Sequence, residues 1–411
     1  MIRLSHPTKS LKGKISLPSS KSISNRILIL QKIYEPGLVI ENLSVANDTI
    51  VLKRILSSNE HNIDVQDAGT AFRFLVAYCA ITSGKWSING TARLRERPIS
   101  QLVDALRLLG ADITYLEKEG YAPLSINGKK LKANQSELDL TFVDSSQFIS
   151  ALLMIQPMIE GEFSIKINHK MNSKSFVKLT IILMRKMGFS VEVKGAHIRV
   201  KKERRFHGKF VRVEPDWTSF YYWYSMAHLA KDVDLCMVGL SQNNIHEEKK
   251  RLFDVGNKSL SFGENGDGLC VKKSKDNKIE FMSKLNYSQF PDLAPTFAVL
   301  LAALRAGETE LMGLESLKYK ECNREEALEQ ILGMLNCTFG LEDKSWILNA
   351  ENFELKSETL FSTFDDHRMA MSIAPLALIQ PILIENESVV TKSYPNFWED
   401  LQTVGFEIEY L

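Results

Sequence analysis

Residues 17–30 read LPSSKSISNRILIL, from Leu17 to Leu30. Pro18, Ser19 and Ser20 break any strand coming in. Ile23, Ile27 and Leu30 then recur at i, i+4 and i+7, which predicts a helix with one apolar face. Ser22 and Arg26 stand four apart and share a second face. A helix start with free backbone N–H groups, hydroxyls, Lys21 and Arg26 suits a phosphate or a carboxylate. A serine-capped helix with a solvated basic residue explains the same stretch equally well, so the rest of the chain must decide.

Working away from this stretch, a repeat emerges. LVDALRLLGADITY has an amphipathic helix, then Gly110, then a short alternating strand. The order returns in LTIILMRKMGFSVEV at Gly188, KKRLFDVGNKSLSF at Gly256, ALEQILGMLNCTF at Asn336 and WEDLQTVGFEIEY at Gly405. Gly or Asn there fits a left-handed cap that turns the chain from helix to strand. Thr49 to Val65 reads as a shorter first copy. A second kind of helix alternates with the first, with small polar residues at its start and almost wholly apolar residues after. These begin near Ser20, Gly69, Ser145, Asp216, Asp292 and Asp366, roughly 50 to 80 residues apart, the size of a supersecondary unit. The apolar helices are expected to be buried and the amphipathic ones to lie nearer the surface. The fold class is therefore α/β, with six repeated units, three in each of two domains, and the polar helix starts gathered at one end of each domain.

A chain of 411 residues is too long for a single core. Its formal net charge of +1 argues against a general nucleic-acid binder, which needs a basic excess. The five cysteines, Cys79, Cys236, Cys270, Cys322 and Cys337, contain no C-x-x-C pair, so neither zinc nor a redox dithiol is suggested. Their scatter and odd count fit a reducing compartment. No apolar run reaches membrane length. The expectation is a cytoplasmic monomer with no metal and no cofactor, acting on small molecules rather than on nucleic acid or membrane.

The chemistry-bearing stretches lie at helix starts. DAGTAFRFL offers Gly69 for close backbone approach, Thr70 as a cap and Arg73 one turn on. GTARLRERPI places Arg97 before Pro98, expected at another helix start. Ser145-Ser146-Gln147 supplies two hydroxyls and an amide, and Asn172-Ser173-Lys174 a similar loop. In the second half carboxylates join: Asp292 in FPDLAPTF, Lys320, Glu321 and Arg324 in LKYKECNREEALEQ, and Asp366, His367 and Arg368 in FDDHRMAM. Simple N-capping accounts for Asp292 or Asp366 about as well as chemistry does, and Lys392 in VTKSYP reads alone as a solvated loop lysine. Together the first half supplies hydroxyls and cations, and the second carboxylates and cations. That division suits a cleft between domains holding two anionic substrates beside acid–base groups. No Ser-His-Asp triad, Walker loop or dinucleotide fingerprint is present.

LPSSKSISNR, DAGTAFR, RERPI, SSQF, SKSF, PDLAPT, KYKECNR, DDHRMAM and TKSYP, in that order, make the chain resemble the 5-enolpyruvylshikimate-3-phosphate synthases, the shikimate-pathway enolpyruvyl transferases. The resemblance runs nearly end to end. It implies two domains of three units each, an inside-out α/β barrel, with residues 1–18 and 215–411 in one domain and 19–214 in the other. It implies that the N-terminal strand belongs with the C-terminal half and that the chain crosses near Pro18 and Glu214. By motif, Lys21, Ser22, Arg26, Ser145, Ser146, Gln147, Ser173, Asp292 and Lys320 would bind shikimate-3-phosphate. Lys21, Gly69, Arg97, Gln147, Arg324, Arg368 and Lys392 would bind phosphoenolpyruvate. Lys21, Asp292 and Glu321 would move protons in an addition–elimination route, two carboxylates and a lysine that would titrate together.

The chain departs from the family pattern at several places. Cys322 and Asn323 stand where the family has Thr and Asp, Phe176 where many members have Tyr, and Phe74 where many have Pro. Asp67 and Asp365 replace the common Asn, and Gln242-Asn243-Asn244 replaces Q-G-D. Competing readings are a binding protein without turnover, a UDP-N-acetylglucosamine enolpyruvyl transferase, and an RNA 3′-phosphate cyclase, the last opposed by near-neutral charge.

Overall fold

The helix expected from residues 17–30 runs Lys21–Tyr34, and the Ser20 hydroxyl accepts the Ile23 N–H at 3.3 Å. Ile23, Ile27 and Leu30 are buried, and so is Arg26, at 2% exposure. The basic residue is thus not solvated, which removes the simpler reading of this stretch. The structure, a computed structural model, describes residues 1–58, 60–252, 259–274, 279–343 and 345–411.

The other apolar helices follow the same plan. Gly69–Ile81, Ser146–Ile155, Trp217–Leu229, Ala294–Ala303 and His367–Ile373 are buried along most of their length. The amphipathic helices Ser100–Leu108, Lys174–Lys186, Arg324–Met334 and Phe397–Thr403 each end on the expected reversal. Gly110, Gly188, Asn336 and Gly405 have φ of +88°, +86°, +57° and +100°. The N–H just ahead of the following strand bonds back into the helix at Ala111→Leu106, Cys337→Leu332 and Phe406→Leu401, the six-to-one bond of a left-handed cap. The copy expected at Gly256 lies outside the described residues. Before it the chain forms a 3₁₀ turn, Glu248–Arg251.

The chain falls into two compact units. One comprises Met1–Ser19 with Glu214–Leu411, and the other Ser20–Val213. The first unit holds three four-stranded sheets. The second holds two such sheets and a two-stranded one, Val39–Glu41 with Phe210–Arg212. The four-stranded sheets share one plan, seen in Asn62–Asp64, Gly84–Asn89, Asp112–Tyr115 and Leu124–Gly128. The first strand runs parallel to the second, with Ile63 opposite Ile88. The second pairs antiparallel with the fourth, Trp86 opposite Ile126, and the third closes the other side of the fourth, Ile113 opposite Ile126. Each parallel step needs a crossover, and the buried helix supplies it. The two-stranded sheet keeps only the parallel step.

The N-terminal segment completes two sheets of the first unit. Ile2–Ser5 pairs antiparallel with Ile382–Ile384 and Glu407–Tyr410. Ser10–Ile15 runs parallel to Asp232–Val238. The core of this unit is rich in aromatics. Phe220, Tyr221 and Tyr224 pack on one another, and both tyrosines pack on Phe297. The Tyr221 and Tyr224 hydroxyls reach the Glu248 and Leu252 carbonyls at 2.5 and 3.0 Å, so these large side chains are buried with no stranded donor.

Candidate active site

In the unit Ser20–Val213, Arg26 ties three helix starts together. Its Nε donates to Thr180 Oγ1 at 2.7 Å, Nη1 to the Ser22 carbonyl at 2.8 Å, and Nη2 to Ser150 Oγ at 3.2 Å and the Phe176 carbonyl at 3.4 Å. The rings of Phe74 and Phe176 lie 5.4 and 5.8 Å from its guanidinium carbon. A planar fork with several donors can span the helices in this way, which a lysine could not. Lys21, at the first position of its helix, faces Asp48 at 3.6 Å. Asp48 is buried, so the lysine is held by a carboxylate from the neighbouring helix Asn47–Ser57.

Gly69 opens its helix with Ala68 at the cap and no side-chain cap bond. The capping role expected for Thr70 is absent, and its hydroxyl instead accepts the Gln147 amide at 3.2 Å. A Cβ added to Gly69 would come within 2.5 Å of Arg97 Nη1 and 2.8 Å of Arg73 Nη1. Two guanidinium groups thus crowd one backbone position. Arg97 is buried, but the helix after it starts at Ser100 with Ile99 as cap. Pro98 therefore stands two residues ahead of that helix instead of opening it, contrary to the sequence expectation, with the non-helical Ile99 (φ −133°) between them. Ser145 and Ser173 sit at the caps of Ser146–Ile155 and Lys174–Lys186 without a side-chain cap bond, and Ser173 is left-handed at φ +58°. Simple capping does not account for either serine.

In the unit Met1–Ser19 with Glu214–Leu411, Arg324 is the hub, its side chain 1% exposed. It meets Asp366 through Nε at 2.7 Å and Nη2 at 3.1 Å, Asp292 through Nη1 at 2.8 Å and Glu321 through Nη2 at 2.8 Å. Asp292 also meets Lys320 at 3.0 Å and Arg368 at 3.2 Å. Arg368 further approaches the Tyr222 hydroxyl at 3.4 Å. The Asp292 side chain makes no cap, since its helix starts at Ala294 behind a 3₁₀ turn. Asp366 does cap, accepting the Arg368 N–H at 2.8 Å. Burial pushes the Asp292 carboxyl up, but Arg368, Lys320 and Arg324 outweigh it and hold the group well below the usual range. Burial lowers Arg324, yet Asp366, Glu321 and Asp292 drive it well above its ordinary value. Burial lifts Tyr222 to about 12. Lys392 ends the 3₁₀ stretch Glu387–Lys392, which packs on the helix His367–Ile373.

The cluster balances Asp292, Glu321 and Asp366 against Lys320, Arg324 and Arg368. Such an array can trade a carboxylate partner for an incoming anion and leave that carboxylate able to take a proton. No group of three or more His, Cys, Asp or Glu suited to a metal occurs among the described residues.

An EPSP synthase family model (3-phosphoshikimate 1-carboxyvinyltransferase) matches residues 51–401. A 3-phosphoshikimate 1-carboxyvinyltransferase from Bacteroides fragilis strain ATCC 25285 is 37% identical over 420 residues, covering 99% of this chain and 98% of the relative. The chain belongs to the EPSP synthase family. Among solved structures, EPSP synthase from Acinetobacter baumannii aligns with TM-score 0.76 at 19% identity, covering 100% of this chain and 99% of the other. The enolpyruvyl transferase NikO from Streptomyces tendae aligns with the same TM-score at 14% identity, again over 100% and 99%. The two-domain α/β fold of EPSP synthases is thereby shared. No helix among the described residues is long and apolar enough to cross a membrane.

The departures from other EPSP synthases now have addresses. The Cys322 thiol donates to Asp366 at 3.6 Å, and burial and that carboxylate push its pKa up. Asn323 occupies the cap of Arg324–Met334, but its side chain makes no cap bond, and its buried Oδ1 has no hydrogen-bond partner among the described residues. Asp365 is exposed and accepts the Asn386 amide at 2.5 Å. In the replaced Q-G-D stretch, Asn244 accepts the Trp217 indole at 3.3 Å and the Ser241 N–H at 2.8 Å. Asp48 and Tyr222 escaped the sequence reading. The Asn47-Asp48-Thr49 helix start was the one local signal for the first, and Tyr222 sits in an aromatic run with none.

Proposed function

We propose that the chain transfers the enolpyruvyl group of phosphoenolpyruvate to the 5-hydroxyl of shikimate-3-phosphate and releases phosphate. The observation that carries this reading is the buried Arg324 hub, where one arginine holds Asp292, Glu321 and Asp366 while Lys320 and Arg368 share Asp292. In the reaction the hydroxyl oxygen bonds to C2 while C3 takes a proton. Phosphate then leaves and C3 gives up a proton. A base is needed at the hydroxyl, an acid at the methylene and cations at the departing phosphate.

On this reading Lys21, Asp292 and Glu321 move the protons. Lys21, Ser22, Arg26, Ser145, Ser146, Gln147, Ser173, Asp292 and Lys320 recognise shikimate-3-phosphate. Lys21, Gly69, Arg97, Gln147, Arg324, Arg368 and Lys392 recognise phosphoenolpyruvate. The ion pairs of Asp292 suppress its basicity until an anionic substrate draws Arg368 and Lys320 away, so proton abstraction waits for binding. The reading extends to a monomer working in the cytoplasm, for which a sedimentation mass other than 46.6 kDa would require revision.

The deciding assay is phosphate release from phosphoenolpyruvate with shikimate-3-phosphate, run beside UDP-N-acetylglucosamine. Release with the first acceptor alone is expected. Release with the sugar nucleotide alone, or with neither, rejects the proposal.

A further inference from the structure

Cys236 and Cys270 lie directly opposite each other on the antiparallel strands Asp232–Val238 and Gly268–Lys273. Along the first strand Val233, Leu235 and Met237 are buried inward, while Asp232 and Asp234 are exposed. Period-two alternation puts Cys236 on that outer face. Opposed residues on antiparallel strands have Cα atoms about 4.5–5.5 Å apart, inside the 4.4–6.8 Å span that a cystine accepts. The pair lines a shallow depression of ≈ 500 Å³ with Lys12, Lys14, Asp234 and Lys272. Cys270 is part-exposed, whereas Cys236 is 7% exposed and also donates to Asn265 Oδ1 at 3.7 Å. None of these residues belongs to the Arg324 cluster.

We propose that Cys236 and Cys270 form a dithiol site that reacts with a low-molecular-weight disulfide and closes to a cross-strand cystine. The Cys270 thiolate attacks one sulfur of the reagent, whose S–S bond breaks, and one thiol departs with a proton from solvent. Cys236 then attacks the Cys270 sulfur of the mixed disulfide and expels the second thiol. Two protein thiols lose two electrons and two protons, and the reagent gains both. The order follows from access, since Cys270 is the sulfur that solvent reaches. Chemistry agrees: burial and the neighbouring Cys270 push the Cys236 thiol up to about 11, and capping Cys270 removes the second of those causes.

The test uses the full chain and glutathione disulfide. Denatured protein holds five titratable thiols before treatment. After treatment the count should fall by two, the mass should drop by two hydrogens, and digestion should yield one linked pair of peptides carrying Cys236 and Cys270. Cys236→Ser should trap one glutathionyl group on Cys270, and Cys270→Ser should leave Cys236 unmodified. An unchanged thiol count, a linked pair containing another cysteine, or glutathione held stably on wild-type Cys270 would overturn the proposal.

Discussion

Arg324 grips both oxygens of the Asp366 carboxylate, at 2.7 and 3.1 Å, with the two side chains 1% and 0% exposed. They are 42 residues apart in the chain, and the same aspartate caps the helix that carries Arg368. Removing one partner of a buried pair costs about 3–5 kcal/mol when the other charge is left alone, and although Asp292 and Glu321 still face Arg324, losing Asp366 leaves the cluster one negative charge short. Asp366→Ala is therefore expected to lower the stability of the unit containing Glu214–Leu411 by that amount. Denaturant unfolding of wild type and variant measures it, and a loss below about 1 kcal/mol would place Asp366 among merely exposed pairs.

Glu321 and Asp292 face the same guanidinium but from different segments. Amide replacement keeps their size and removes the proton acceptor. Turnover of Glu321→Gln and of Asp292→Asn should fall by at least about a hundredfold, the low end for general acid–base catalysis, with a smaller change in substrate affinity. Steady-state kinetics with both substrates decides, and near-normal turnover in both variants sinks the proton-transfer assignment.

Much of this was legible from sequence where the signal is local. The reversals at Gly110, Gly188, Asn336 and Gly405 were readable because a left-handed residue after a helix has few chemical solutions. The buried helices were readable from unbroken apolar runs such as FISALLM. What stayed hidden arrives from elsewhere in the chain. Asp48 reaches Lys21 from the next helix, and Thr180 and Ser150 reach Arg26 from two others. No spacing rule links them. Asp292 was readable as a motif member but equally as a cap, and only the placement of Lys320, Arg324 and Arg368 around it separates the two. The facing of Cys236 and Cys270 depends on strand register, which composition does not fix.

His228 gives a pH dependence. It is buried, with Nδ1 3.0 Å from the Ser259 hydroxyl and Nε2 lacking a hydrogen bond among the described residues. Burial, aided by Lys273, lowers its pKa to about 3. The folded state therefore binds fewer protons than the unfolded one between that value and the ordinary 6.5. The stability from a neutral His228 is fully present above pH 6.5 and is lost as pH falls toward 3. Within that window one extra proton is taken up on unfolding, a slope of about 1.4 kcal/mol per pH unit. Between pH 7 and pH 4 the unfolding midpoint of wild type should fall more steeply than that of His228→Gln, which has no imidazole to protonate. Parallel curves would mean that His228 does not titrate on unfolding.

Gly69 bears on inhibition by glyphosate, a small anion known to inhibit this family and expected to compete with phosphoenolpyruvate. A methyl group there would lie 2.5 Å from Arg97 Nη1 and 2.8 Å from Arg73 Nη1, so at least one guanidinium must move. Both belong to flexible side chains, and the backbone can stay in place. Displacing one charge-assisted hydrogen bond costs about 1.5–3 kcal/mol, roughly ten- to a hundredfold in affinity. An inhibitor longer than phosphoenolpyruvate also meets the methyl itself, so it loses more. Phe74, where many sensitive members carry Pro, is fully buried and lies 5.4 Å from Arg26 on the same helix as Gly69. Its ring faces the Arg26 guanidinium, and the wild type, with glycine at 69, is expected to be sensitive. Gly69→Ala should weaken glyphosate inhibition more than it raises the phosphoenolpyruvate KM, with inhibition constants and KM measured side by side. Equal inhibition of wild type and Gly69→Ala would remove Gly69 from the phosphoenolpyruvate site.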